Sequence, residues 1–154
     1  MASYAALSAG AKVLYNAASN STRPTSGYTE LTGVTAVPAF GDQPGTVDVT
    51  AIANKNRVYI FDLPDSGGTI ALTVNDADDF RTSFKAMLSA YTNMASTGSF
   101  WIEYQYPSET SIDSFFYPAA LHDIGFGGWD VGAAMTNSIP IAPAGDFEWA
   151  SKST

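Results

Sequence analysis

His122 is the one histidine in 154 residues, and Asp123 follows it directly. A serine nucleophile would need that imidazole as its base. Consecutive residues on a strand point to opposite faces, so Asp123 is badly placed to orient its neighbour. No Gly-x-Ser-x-Gly elbow accompanies the pair, and a strand histidine without partners is read as structural. The chain has no cysteine, which removes thiolate nucleophiles, thiolate metal sites and disulfides together. Asp76-Ala77-Asp78-Asp79 has part of the spacing of a calcium loop, but the later glycine and glutamate of that loop are missing and Met87 stands in the glutamate's place. Those aspartates fit better as helix-starting residues, with Asp76 the N-cap. Gly125-Phe126-Gly127-Gly128 is followed by strand-like sequence, where a dinucleotide fingerprint requires a helix. Asn20-Ser21-Thr22 matches a glycosylation sequon, yet Met1-Ala2-Ser3-Tyr4 does not open a secretory leader. A carboxylate pair for glycoside cleavage is defined by its separation in space, which the sequence leaves open. No catalytic, metal-binding or cofactor-binding residue is assigned, no cofactor is expected, and the chain is read as a non-enzyme.

The charge pattern says more than the motifs. Fifteen acids against seven bases give a net charge of −8. Nonspecific nucleic-acid binding needs bases that displace counterions, and an anionic membrane surface would repel this chain. No apolar run approaches the ~18 residues of a spanning helix. From Ala86 to Ser151 there is no Lys or Arg, while Glu103, Glu109, Asp113, Asp123, Asp130, Asp146 and Glu148 all fall there. The plain reading is a set of solvated carboxylates; the sharper one is an extended surface kept at one sign.

The elements that would carry these residues are mostly strands. Residues 1–27 read as an N-terminal arm with a first short strand at Val13-Leu14-Tyr15. β composition follows at Thr29–Val37, Val47–Ile52, Arg57–Leu63 and Thr69–Val74, the last alternating Ile70, Leu72 and Val74 against Thr69, Ala71 and Thr73. Residues 41–56 read as a long loop, and Pro64–Gly68 as a hairpin-type turn. Phe80, Phe84, Met87, Leu88, Tyr91 and Met94 recur at helical period, predicting one helix over 78–95, ended by Gly98, with that stripe as core. Strands resume at Ser99. Phe115–Ile124 is apolar on both faces, with Pro118 marking an edge or bulge, and Ala133–Ile141 and Phe147–Trp149 close the chain. The pattern is one mainly β domain over 1–154, a sandwich or half-barrel of eight or nine antiparallel strands with one flanking helix.

In order and spacing, these segments resemble the tail tube (major tail) proteins of long-tailed bacteriophages, related in fold to the type VI secretion tube protein. The resemblance rests on Ala9–Tyr15, Tyr28–Val34 running into Pro38-Ala39-Phe40-Gly41, Val47–Ile52, Arg57–Leu63, the mid-chain helix before Phe100-Trp101-Ile102, and Gly127–Val131 with Ile139–Ile141. It implies a structural subunit of the virion tail, assembled in the host cytoplasm with other tail proteins and without membrane contact. Six copies would form a ring, and rings would stack into a hollow conduit for DNA during genome ejection, without specific DNA binding. Within that frame Asp42, Gln43, Pro44, Gly45 and Thr46 are candidates for reaching a neighbouring ring, and Glu103, Glu109 and Asp113 for an acidic lumen wall. The alternative is a carbohydrate-binding β-sandwich using Trp101, Trp129 or Trp149 as a sugar platform.

Overall fold

The computed structural model describes residues 11–41, 43–65, 68–106, 113–128 and 130–153. Nine strands make one antiparallel sheet whose path runs β2 (Thr29–Glu30), β1 (Lys12–Ala18), β7 (Ser99–Gln105), β8 (Asp113–Leu121), β10 (Thr136–Pro143), β6 (Ile70–Asn75) and β3 (Val34–Ala36). β9 (Gly125–Phe126) pairs with β10, and β11 (Glu148–Ser151) with β8. β2 and β3 occupy the two ends of this path although only Leu31–Gly33 separate them in sequence. The sheet therefore curls into a half-barrel whose two edges are tied by one turn. Gly33 makes that turn possible: its φ is 87°, and a Cβ there would lie 2.8 Å from Phe80 Cβ, a conformation and a contact that suit glycine alone.

The concave side is filled by Val13, Tyr15, Leu31, Ile70, Leu72, Val74, Phe100, Ile102, Tyr117, Leu121, Ile139 and Ile141. α1 (Asp78–Thr92) covers it with Phe80, Phe84 and Met87 buried and Leu88, Tyr91 and Met94 packed partly against the same core. The rings of Phe80 and Phe84 stack at 5.7 Å, and Tyr91 meets Phe100 edge-on at 5.4 Å. Ser83 ties the helix to the β2–β3 turn, donating to the Glu30 carbonyl and accepting from Thr32 N–H. The helix ends at Thr92, earlier than the expected residue 95. Gly98 does not cap it. Gly98 instead allows β7 to enter beside β1, since a Cβ there would sit 2.4 Å from the Ala18 carbonyl oxygen.

Further expectations change in the folded chain. The helix N-cap is Ala77, with no side-chain cap bond. Asp76 is drawn away by Arg81 Nε at 2.6 Å and Asn137 Nδ2 at 2.9 Å. The stretch Thr29–Val37 is not one strand, because the Gly33 turn splits it into β2 and β3. The segment 41–56 is not wholly a loop: Gln43–Asp48 forms β4, paired with β5 (Tyr59–Asp65) in a separate two-stranded sheet. β5 and β6 are consequently not hairpin partners but belong to two different sheets.

Pro118 lies inside β8 without breaking it. Its carbonyl accepts from Ala144 N–H, on the side where the partner of β8 changes from β11 to β10, so the missing N–H falls in a gap of the ladder. As the sequence predicts, β8 is covered on both faces, with Phe116 and Ser114 buried on one and Tyr117 and Ala119 on the other.

Candidate assembly surfaces

The β4–β5 arm stands apart from the core. Its register places Thr46 opposite Phe61, Val47 opposite Ile60 and Asp48 opposite Tyr59. Phe61 is 88% exposed, Ile60 53% and Tyr59 52%, and Val47, Val49, Val58 and Ile52 are exposed with them. The connection between the strands is nonetheless ordered by local bonds. Asp48 accepts from the N–H and hydroxyl of Thr50 and pairs with Arg57 at 3.1 Å. These bonds, those from Thr50 first, hold its carboxyl below the usual carboxylate range. Of the loop candidates, Gln43 to Thr46 fall on β4 rather than in a loop, and Asp42 lies outside the described residues. A two-stranded ribbon with this much exposed apolar surface is marginal by itself in water, and such surface marks an interaction site.

An open groove of about 970 Å³ lies at the root of this arm. Phe40 forms its floor, with ring centroids 5.3 Å from Tyr104, 5.5 Å from Phe115 and 5.8 Å from Phe147. Tyr106 stacks on Trp149 at 5.9 Å along one wall, and Lys12 pairs with Glu30 at 3.8 Å on another. Beneath the groove, the hydroxyls of Tyr104 and Tyr117 bond to each other at 2.6 Å. Burial pushes the Tyr104 hydroxyl up to about 12 and the Tyr117 hydroxyl higher still.

The convex face of the sheet carries a polar layer of its own. Segment 19–28 crosses it, with the Arg23 guanidinium 4.4 Å from the Phe116 ring centroid and 3.1 Å from Glu148 Oε1. Tyr28 meets Phe116 edge-on at 5.7 Å, and burial raises its hydroxyl well above the usual range against the opposing pull of Arg23. Glu103 is fully buried in this layer. Its Oε1 accepts from Gln105 Nε2 at 2.6 Å and from Ser153 N–H at 3.3 Å, while Oε2 has no partner among the described residues. Such a carboxylate does not face the solvent of a channel, and the C-terminal segment is what encloses it.

The other acidic candidates are distributed differently. Asp113, at the start of β8, is exposed, and Glu109 lies outside the described residues. Asp76, Asp78 and Arg81 form an ion-pair cluster at the helix start rather than a calcium loop. Among the described residues no group of three or more His, Cys, Asp or Glu is placed to share a metal ion, and no helix is long and apolar enough to cross a membrane. His122 is exposed. Of the tryptophans considered for a sugar platform, Trp101 is buried and donates to Ser99 Oγ at 2.7 Å, Trp149 is half-exposed against Tyr106, and Trp129 lies outside the described residues.

Sequence reasoning missed the aromatic floor and the arm. Phe40 sits in Pro38-Ala39-Phe40-Gly41, between the Thr29–Val37 run and the loop expected from residue 41, where the sequence assigns no element. The run Tyr59-Ile60-Phe61 reads as strand within Arg57–Leu63; that it is apolar on successive residues was the available signal.

No family model and no curated protein matches the sequence. Solved structures do match the fold. A chain of the six-fold-symmetrised anti-feeding prophage baseplate superposes with a TM-score of 0.67 at 13% identity, over 97% of both chains. A chain of the tail of an empty GTA particle, refined helically with C6 symmetry, gives 0.60 at 16% identity over 95% of this chain and 99% of that one. The SPP1 tail tube gives 0.54 at 17% identity over 97% and 81%. The half-barrel, its flanking helix and its detached arm are together a phage tail-tube-like fold.

Proposed function

We propose that the chain is a structural subunit of a phage tail tube, forming six-membered rings that stack into a hollow conduit for DNA during genome ejection. The observation that carries this reading is the whole-chain likeness to subunits of tail and baseplate particles, in a molecule whose own arm leaves apolar surface uncovered. Contacts that close by rotation make rings, and a second, axial contact makes the filament. The arm that begins near Asp42 is the projection that reaches beyond its own subunit toward the next ring. Tail proteins at the tube ends would be its other partners, and the virion tail, assembled in the host cytoplasm, its location.

An acidic wall would suit passage of DNA, because phosphates repelled from it do not stick, whereas lysines would bind them through counterion release. With Glu103 enclosed, that part of the proposal is carried by Asp113 and Glu109. The test is to purify the subunit, concentrate it and image it by negative stain alongside size-exclusion chromatography. Six-fold rings or tubes are expected; a protein that remains a monomer at every concentration refutes the reading. Tubes whose lumen carries neither Asp113 nor Glu109 refute the acidic wall alone.

A further inference from the structure

The C-terminal segment closes over a carboxylate that it does not fully satisfy. Glu103 is wholly buried on the convex face of the sheet. Gln105 Nε2 and Ser153 N–H both donate to its Oε1, at 2.6 Å and 3.3 Å, and no group among the described residues donates to Oε2. Taking a carboxylate out of water is costly unless its remaining lone pairs are met. We propose that β11 and the residues after it form a strap held closed under load. Closing it deprives Glu103 Oε2 of water, so the strap opens locally while the rest of the sheet stays paired.

What holds the strap is slight. β11 has four residues, of which only Ala150 is not exposed. Trp149 meets Phe115 edge-on at 5.0 Å and stacks on Tyr106, yet it remains 58% exposed. Glu148 pairs with Arg23 at 3.1 Å from a half-exposed position, where an ion pair contributes little. Ser153 Oγ accepts a long bond from Gln105 Nε2 at 3.3 Å. The strand that carries Glu103 is held quite differently: β7 pairs along its whole length with β1 and also with β8. Local opening takes the element with the fewest buried contacts, so the load on Glu103 is relieved by the strap and not by β7.

Opening changes two surfaces at once. β7 pairs with one edge of β8 at Phe115–Pro118, and β10 reaches the opposite edge only at Ala119–Leu121. Over Asp113–Phe116 that opposite edge is covered by β11. With the strap open it becomes an unpaired ladder, the kind of edge to which a further strand can add. Trp149 leaves with the strap, so the groove floored by Phe40 loses a wall in the same motion. The closed strap therefore guards the β8 edge. Glu103 is a positioning residue: its unmet oxygen sets how often the guard lifts.

Amide hydrogen exchange read by mass spectrometry on the dilute, unassembled subunit tests this, and its outcome leaves the tail-tube reading untouched. In the unmodified protein the peptide holding Glu148–Ser151 should exchange well before the β6–β10 ladder does. Glu103→Gln keeps an acceptor for Ser153 and Gln105 while replacing the charged, unpartnered oxygen with a neutral amide. Strap exchange in this variant should slow about tenfold, with protection of the β6–β10 ladder unchanged. Unchanged strap exchange would mean that Oε2 is satisfied in solution, and it overturns the proposal. Faster strap exchange would make Glu103 a latch instead of a load, and overturns it too. Should Glu103→Gln fail to fold, the unmodified protein still decides: a strap that exchanges only at the rate of global unfolding is not poised to open.

Discussion

Tyr104 and Tyr117 offer a measurement whose asymmetry follows from the coordinates. Each hydroxyl has the other as its partner, at 2.6 Å, but Tyr117 is wholly buried whereas Tyr104 is partly exposed at the groove. Tyr104→Phe leaves the Tyr117 hydroxyl buried without a partner, and orphaning a buried polar group costs about 1–3 kcal/mol, here toward the upper end. Tyr117→Phe leaves the Tyr104 hydroxyl, which can turn to water in the groove, so its cost falls toward about 1 kcal/mol. The double variant removes both partners and should cost less than the sum, with a coupling in the range of about 0.5–3 kcal/mol. In a chain of this size 1 kcal/mol moves the thermal midpoint by roughly 2–4 °C, so calorimetry of four proteins resolves the cycle. Equal single costs, or strict additivity, would refute the claim that these hydroxyls satisfy each other.

Phe84→Ala should cost about 3–5 kcal/mol by emptying the helix–sheet contact beside Phe80, seen as a large fall in thermal midpoint. An unchanged midpoint means that the stripe does not face the core. Gly33→Ala should destabilise by about 1–3 kcal/mol, since the turn holds a positive φ and the new Cβ would press on Phe80; a neutral result in chemical denaturation would contradict the tie between the sheet's edges. Alkaline stability is also fixed in sign. Burial raises the hydroxyls of Tyr15, Tyr104 and Tyr117 above the ordinary value of 10.0. Their contribution is fully present below that pH and is lost as pH climbs through their folded values. Midpoints measured from pH 8 to 12 should fall only above about pH 10, and less steeply in Tyr104→Phe.

The sheet core and the helix were legible because their signals are periodic. Ile70, Leu72 and Val74 alternate, and Phe80, Phe84 and Met87 recur on one helical face, so local pattern and tertiary packing agree. What stayed hidden depends on partners distant in sequence. Asp76 looks like a cap until Asn137 and Arg81 claim it. Glu103 looks like an exposed strand acid until Ser153 closes over it. The arm could be seen as apolar but not as detached, since a strand's composition records that it will be covered and not by which molecule.

The curled sheet also sets the order in which the molecule can be made. β1 pairs along its length with β7, and β6 with β10, so the first strands wait for partners from beyond the helix. Closing such long loops is paid before any pairing is gained, which makes topologies of this kind slow to fold. The arm is different: Thr46 meets Phe61 within its own stretch of chain, and both of its strands precede β6 in sequence. During synthesis both strands of this exposed apolar ribbon are therefore present before the body that must carry it. Until β10 emerges, the nascent chain holds an apolar hairpin beside an unclosed sheet. The interval between those two events is when premature association between chains is most costly, and its length is set by where β10 falls in the sequence.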